Sequence, residues 1–229
     1  YVEFYAQTSS THPADSLNIP RYKNLDAFVA DTGDIAKIKQ MLTGKLLAIG
    51  YAGERVVSAT YVQTPLVIDA LYTKANDDAN EAQLGLVYSD SSIIANLWSP
   101  TAKHVSVSVY NDEKVLQSSH EMTVDLHSGV WTVSLPINVD RQFYQYEINA
   151  FHPQNQRFET ITSSDPYSVS LSTNGSYSQF VNLDDEDLKP EQWDEHTIPE
   201  VKDFEDMIVY EGHIRDFSIR DESTTPENR

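Results

Sequence analysis

His104-Val105-Ser106-Val107-Ser108-Val109-Tyr110 alternates valine with serine. Successive side chains of a strand point to opposite faces, so Val105, Val107 and Val109 share one face while Ser106 and Ser108 share the other. One apolar and one polar face is the pattern of an antiparallel sheet packed on a single side. Tyr144, Tyr146, Ile148 and Ala150 repeat it. Around these two stretches, residues 84–88, 93–98, 130–135, 157–161 and 179–183 are also rich in strand formers, with turn residues between them. Short strands at this density predict an immunoglobulin-like (E-set) β-sandwich over 84–183.

Toward the N-terminus the pattern mixes. Asp34 is placed to cap a helix whose apolar residues Ile35, Ile38, Met41 and Leu42 recur at helical spacing, with Gly44 after its end. Residues 46–51 and 56–62 read as a hairpin turning through Ala52-Gly53-Glu54-Arg55. Thr64-Pro65 opens a second helix through Val67, Ile68 and Leu71, with proline where a missing N–H is harmless. Residues 1–80 are therefore expected to form a β-rich accessory module with two short helices, making the chain all-β with two tandem sandwiches. The polar run 74–83 reads as a linker or exposed loop. Residues 184–206, acidic and interrupted by Pro190 and Pro199, read as a connector. Met207-Ile208-Val209-Tyr210 is a continuous apolar run suited to a strand buried on both faces.

The chain has 229 residues, 40% hydrophobic, with 13 Tyr. That is enough for two modules with cores, and too little for a sandwich plus a complete (β/α)₈ barrel, which takes about 250 residues alone. A net charge of −19 repels phosphate backbones and anionic lipid, which argues against nucleic acid and membrane partners and leaves neutral ligands such as polysaccharides. With no cysteine, disulfides, thiolate metal sites and cysteine nucleophiles are excluded. The 7 His show neither H-x-H nor H-E-x-x-H spacing, Gly44-Lys45 lacks the upstream glycine of a phosphate loop because Lys39 stands there, and G-x-S-x-G is absent. No apolar run approaches the roughly 18 residues of a membrane span. Tyr1-Val2-Glu3-Phe4 is no signal peptide, and the first residue reads as a cut inside a longer chain.

Three stretches together carry a family resemblance. Asn96-Leu97-Trp98-Ser99-Pro100-Thr101-Ala102 resembles the strand and turn of the family 48 carbohydrate-binding modules that precede the barrel of debranching enzymes. Asp165-Pro166-Tyr167-Ser168, then Leu171-Ser172-Thr173-Asn174 and Tyr177-Ser178, resembles the sandwich-to-barrel connection of type I pullulanases. Val209-Tyr210-Glu211-Gly212-His213-Ile214-Arg215-Asp216-Phe217-Ser218 resembles the first barrel strand of the same enzymes, in glycoside hydrolase family 13. Gln63-Thr64-Pro65 and Ile68-Asp69-Ala70-Leu71-Tyr72 are similar to the end of the extra β-module that pullulanases carry before the binding module. The resemblance implies that residues 207–229 begin a catalytic barrel, truncated here, and that the parent enzyme hydrolyses α-1,6-glucosidic branch points. Its partners are then an α-glucan (pullulan, starch or glycogen) and the remaining barrel, in the same parent or a separate chain. The family's catalytic carboxylates lie on later strands, so no catalytic residue carries over and this chain alone is expected to be inactive. No cofactor or metal is assigned to it, and calcium in the parent stays open. The implied setting is secreted or cell-surface, in a bacterium.

Sugar sites need flat rings and nearby hydroxyl partners. Trp98, Trp131, Tyr144 and Tyr146 stand where sandwich strands bury large side chains, and are expected in the core. Glycogen-binding members of the resembled family place one Trp in the loop after the strand resembling 104–110 and another near the position of Phe158. Here that loop reads Asn111-Asp112-Glu113-Lys114, without a ring. Phe158, helped by Tyr110 and Lys114, is the remaining carbohydrate-binding candidate. His213, Arg215 and Asp216, beside Glu211, form a dense ionisable cluster. Strand alternation would send them to opposite sides, so ion pairing that orients barrel elements is expected, with His213 bordering the cleft. Asp184, Asp185, Glu186 and Asp187 lack a calcium-loop pattern and read as a solvated connector. An autonomous glucan-binding module and a cell-surface array of sandwiches remain alternatives.

Overall fold

The computed structural model describes residues 4–6, 28–30, 34–223 and 225. The chain divides into two compact units, Tyr1–Leu183 and Asp184–Arg229.

In the first unit, β1 (Phe4–Ala6) pairs antiparallel with β2 (Phe28–Ala30). Helix α1 (Ile35–Leu42) follows, its N-terminus capped by the Asp34 carboxylate, which accepts from the Ala36 N–H at 2.9 Å. The hairpin β3 (Leu47–Ala52) and β4 (Arg55–Tyr61) turns at Gly53, whose φ of 63° suits glycine. Helix α2 (Pro65–Tyr72) begins at Pro65. The sandwich strands are β5 (Gly85–Tyr88), β6 (Ser92–Trp98), β7 (His104–Tyr110), β8 (Leu116–Glu121), β9 (Thr123–Val124), β10 (Val130–Pro136), β11 (Phe143–His152), β12 (Arg157–Ser163) and β13 (Ser178–Gln179). They form a four-stranded sheet ordered β5-β6-β10-β9 and a five-stranded sheet ordered β12-β11-β7-β8, with β13 also on β11.

Between the sheets lies one core. Ile93, Ala95 and Leu97 of β6 and Trp131 and Leu135 of β10 meet Val105, Val107 and Val109 of β7 and Tyr144 and Tyr146 of β11. Phe180 stacks on Tyr144 at 4.2 Å between ring centroids. Ser106 and Ser108 face away from this core as the alternation requires, yet both are buried. Ser108 Oγ donates to Glu147 Oε1 at 2.7 Å.

Two tryptophan indoles fasten the turn at the end of β6. Trp98 Nε1 donates to the Ser128 carbonyl at 3.0 Å and Trp131 Nε1 to the Ser99 carbonyl at 2.9 Å. Trp131 is buried as expected, while Trp98 is half-buried. The opposing turn is organised by Asp125, which accepts from the His127 and Ser128 N–H groups and from Ser128 Oγ at 2.6 Å. Those bonds, led by Ser128, hold the Asp125 carboxyl below its ordinary pKa.

Helix α1 docks on this same turn. Lys39 Nζ donates to the Leu126 and His127 carbonyls at 2.7 and 2.9 Å and lies 4.1 Å from the Tyr72 ring centroid. Burial lowers the pKa of this ammonium, opposed by the nearby Asp125 charge. Changing Lys39 to Met should cost about 1–2 kcal/mol, since two charge-assisted hydrogen bonds are lost while the stem's packing is kept. Faster amide hydrogen exchange across α1, with the sandwich strands unchanged, checks that outcome.

Several expectations need correction. The polar run 74–83 is a built loop: Asp78 is buried and accepts from the Ala75 and Asn80 N–H groups at 2.7 and 2.9 Å. Polar composition hides such a segment because its one buried side chain serves only its own backbone. Strands β8 and β9 carry no signal in the sequence, since Leu116–Glu121 lies at a sheet edge and shows no apolar alternation. In the first module the described residues give two separate two-stranded sheets and two helices.

Residues 207–217, whose apolar run reads as a strand that needs enclosing neighbours, form no strand among the described residues. Residues 207–213 carry no regular element, and Ile214–Ser218 is a short helix, α3. Ile208 is 99% exposed, Val209 83% and Tyr210 82%. A strand of this kind needs neighbours on both edges to take up its N–H and C=O groups, and no described residue pairs with it.

Candidate functional site

The register of the five-stranded sheet decides which side chains share its outer face. Tyr144 and Tyr146 point inward, so Phe143, Gln145, Glu147, Asn149 and Phe151 point outward. Tyr110 lies opposite Phe143 on β7, and Phe158 lies opposite Phe151 on β12. All three carbohydrate-binding candidates thus belong to one face, but not to one site. Phe143 and Phe151 stand at opposite ends of β11, about 27 Å apart at strand rise.

At the first end, Tyr110 meets Tyr177 edge-on at 5.0 Å. Lys114 Nζ sits 3.0 Å from the Phe143 ring centroid and donates to the Asp112 carbonyl at 3.1 Å. Lys114 reaches that position from a left-handed backbone, φ 63°. The Tyr110 phenol titrates above its ordinary range, chiefly through burial and then through the Glu147 charge. At the second end, Phe158 is 37% exposed, packs edge-on against Phe151 at 5.5 Å, and carries Lys103 Nζ 3.7 Å from its centroid. A lysine therefore rests on a ring at each end, where a sugar would have to stack. Each such contact is worth about 0.5–1 kcal/mol at an exposed site, small enough for a sugar to displace.

Polar groups fill the face between the two ends. His104 Nε2 and Glu121 Oε2 are 2.5 Å apart, Glu147 accepts from Ser108, and Asn149 Nδ2 donates to Thr160 Oγ1 at 3.3 Å. The face offers donors and acceptors for hydroxyls. Phe143 does not stand out in the sequence because it directly precedes the core rings Tyr144 and Tyr146, and Tyr177 because it is a lone ring among Gly and Ser. Only pairing Phe143 with Tyr110 across the sheet brings them together.

The second candidate cluster is not assembled. His213 precedes α3, its carbonyl accepting from the Asp216 and Phe217 N–H groups, while Arg215 and Asp216 lie within the helix. Their side chains are exposed and form no ion pair among the described residues. No group of three His, Cys, Asp or Glu that could hold a metal ion occurs among the described residues. No described helix is long and apolar enough to cross a membrane.

A sandwich of this topology, with a W-x-P-x-A turn after its second strand, can be compared with known proteins. Residues 83–168 match carbohydrate-binding module 48, the isoamylase N-terminal domain. A pullulanase of Klebsiella pneumoniae is 34% identical over 235 residues, spanning 100% of this chain and 21% of the relative. The chain is homologous to the pullulanases. Pullulanase 1, chloroplastic, of Arabidopsis thaliana is 31% identical over 225 residues, spanning 96% of the chain and 22% of the relative. A crystal structure of Klebsiella pneumoniae pullulanase complexed with maltotriose superposes with a TM-score of 0.84 at 34% identity, covering 97% of this chain and 21% of that one. The chain thus spans about a fifth of the length of the curated pullulanases it matches.

Proposed function

We propose that this chain is the accessory, glucan-facing portion of a type I pullulanase-like debranching enzyme that hydrolyses α-1,6-glucosidic linkages. In this reading residues 1–80 form the accessory module, with the second sandwich of the pair in 84–183. The acidic connector 184–206 leads to residues 207–217, the first strand of a (β/α)₈ barrel. The observation that carries it is the similarity to a pullulanase over the whole chain, sandwich and apolar run alike. The exposure of Ile208, Val209 and Tyr210 supports it, because such a run gains burial and hydrogen bonds only from neighbouring strands. The polar outer face with a ring cluster at each end supports an α-glucan as ligand, and the charge of −19 favours a neutral one. A secreted or surface location in a bacterium agrees with an extracellular polysaccharide substrate. His213, Arg215 and Asp216 take up their structural roles when the barrel strand forms.

Affinity electrophoresis tests the binding half. The chain should be retarded in gels containing pullulan or glycogen, and it should release no reducing sugar from either. Phe158→Ala and Tyr110→Ala should each reduce the retardation partially and the pair should reduce it further, because the two clusters are too far apart for one sugar ring. Unretarded migration of the unmodified chain in both gels would defeat the glucan-facing reading.

A further inference from the structure

The chain has 3 Trp, and two of them are committed to the sandwich through their indole N–H groups. Trp193 is different. Its side chain is 60% exposed, and its Nε1 makes no hydrogen bond among the described residues. The residue opens a single helical turn, Trp193–Glu195, entered through Gln192 in the left-handed region at φ 67°. An open surface cleft is formed here entirely within the second unit by the segment 190–197, lined by Trp193 with Glu191, Gln192, Glu195 and His196. Lys189 does not neutralise this rim, because it is held by Glu186 at 3.5 Å and Asp194 at 3.3 Å, neither of which lines the cleft.

We infer that Trp193 and its rim form a glucosyl-binding site on the connector, separate from the sandwich face. The chemistry matches a pyranose part by part. An exposed indole covers the apolar face of a sugar ring, an unused N–H donates to a hydroxyl, and the Glu191 and Glu195 carboxylates and the Gln192 amide accept from others. A carboxylate rim repels anions, and a neutral sugar meets no such repulsion. The proposal rests on the glucan-facing reading of the whole chain and extends it to a second location.

The test is titration of the full 229-residue chain with maltotriose, followed through its indole N–H resonances, the Trp193 signal being assigned by its loss in Trp193→Phe. The Trp193 signal should shift saturably while those of Trp98 and Trp131 stay in place. The combined Glu191→Gln, Glu195→Gln variant, with unchanged circular dichroism, should need about tenfold more maltotriose for the same shift. An unmoved Trp193 signal overturns the site. If pullulan-gel retardation persists in that case, the sandwich reading survives it, and if retardation is absent too, both fail. A Trp193 shift of equal size and midpoint with cellotriose also overturns it, since the site would then not select α-linked glucose.

Discussion

Alanine at Gly129 should destabilise the first unit by about 4 kcal/mol, one of the largest single-residue effects in the chain. Gly129 has φ 72°, where a side chain costs about 1–2 kcal/mol. The larger part is steric. A Cβ there would lie 2.6 Å from Pro100 Cβ and 3.0 Å from both Pro100 Cα and Tyr72 Cδ1. Pro100 belongs to the W-x-P-x-A turn and cannot swing aside, and Tyr72 is buried where α2 meets the sandwich. The two turns would be forced apart, stretching the Trp98–Ser128 and Trp131–Ser99 bonds that join them. Gly53→Ala is the matched control. Its φ is 63° but nothing lies within 4 Å of the added Cβ, so only the backbone cost of about 1 kcal/mol should appear. Urea denaturation of both variants checks the pair. Equal losses would show that dihedral strain, and not the approach of Pro100, sets the requirement for glycine.

Gly129 also shows how far the sequence could be read. The alternation of Val105, Val107 and Val109 fixed one face of β7 without help, because a period of two has a single meaning in a strand. The strand β7 spans the alternating stretch from His104 to Tyr110 in full. Edge elements such as β8 escaped, since a strand with solvent on one edge and a polar sequence carries no periodic signal. The carbohydrate-binding candidates were legible as residue types, but their separation was not. Tyr110 and Lys114 are close in sequence while Phe158 is distant, and only the β7–β11–β12 register shows that they occupy opposite ends of one face. The apolar run at Met207 reads as a strand buried on both faces, yet a strand is a property of a pair, and no described residue is its partner. Asp165 was visible as part of an Asp-Pro-Tyr-Ser motif, and its burial was not, because a carboxylate in a loop is ordinarily exposed.

That burial supports the other large prediction. Asp165 is 4% exposed, and its Oδ2 accepts from Tyr144 Oη at 2.7 Å and Tyr146 Oη at 3.5 Å, while Oδ1 accepts from the Tyr167 N–H at 2.8 Å. Its own N–H donates to the buried Ser178 Oγ at 2.8 Å, so one residue joins β11, β13 and the loop after β12. Asp165→Ala would leave two core phenols without their acceptor, and neither can reach water. The expected loss is about 3 kcal/mol, a fall of roughly 6–12 °C in the thermal midpoint of the first unit. Asp165→Asn should cost less, since the amide keeps the shape and can still meet both hydroxyls. It also removes the titration. Burial raises the Asp165 pKa, with the bonds from Tyr167, Tyr144 and Tyr146 opposing that rise. As pH falls through the raised value toward the unfolded one near 3.9, the native state binds a proton that the unfolded chain still lacks, so this residue adds stability. As pH rises through the folded pKa, the contribution is lost. Asp125, held low by Ser128, acts in the opposite sense and loses its contribution on acidification. The difference between the unmodified chain and Asp165→Asn cancels Asp125 and every other shared group. It should move in favour of the unmodified chain as pH is lowered from neutral toward about 4. A flat difference would mean that the two phenols and the Tyr167 N–H offset the burial in full, leaving Asp165 an ordinary carboxylate.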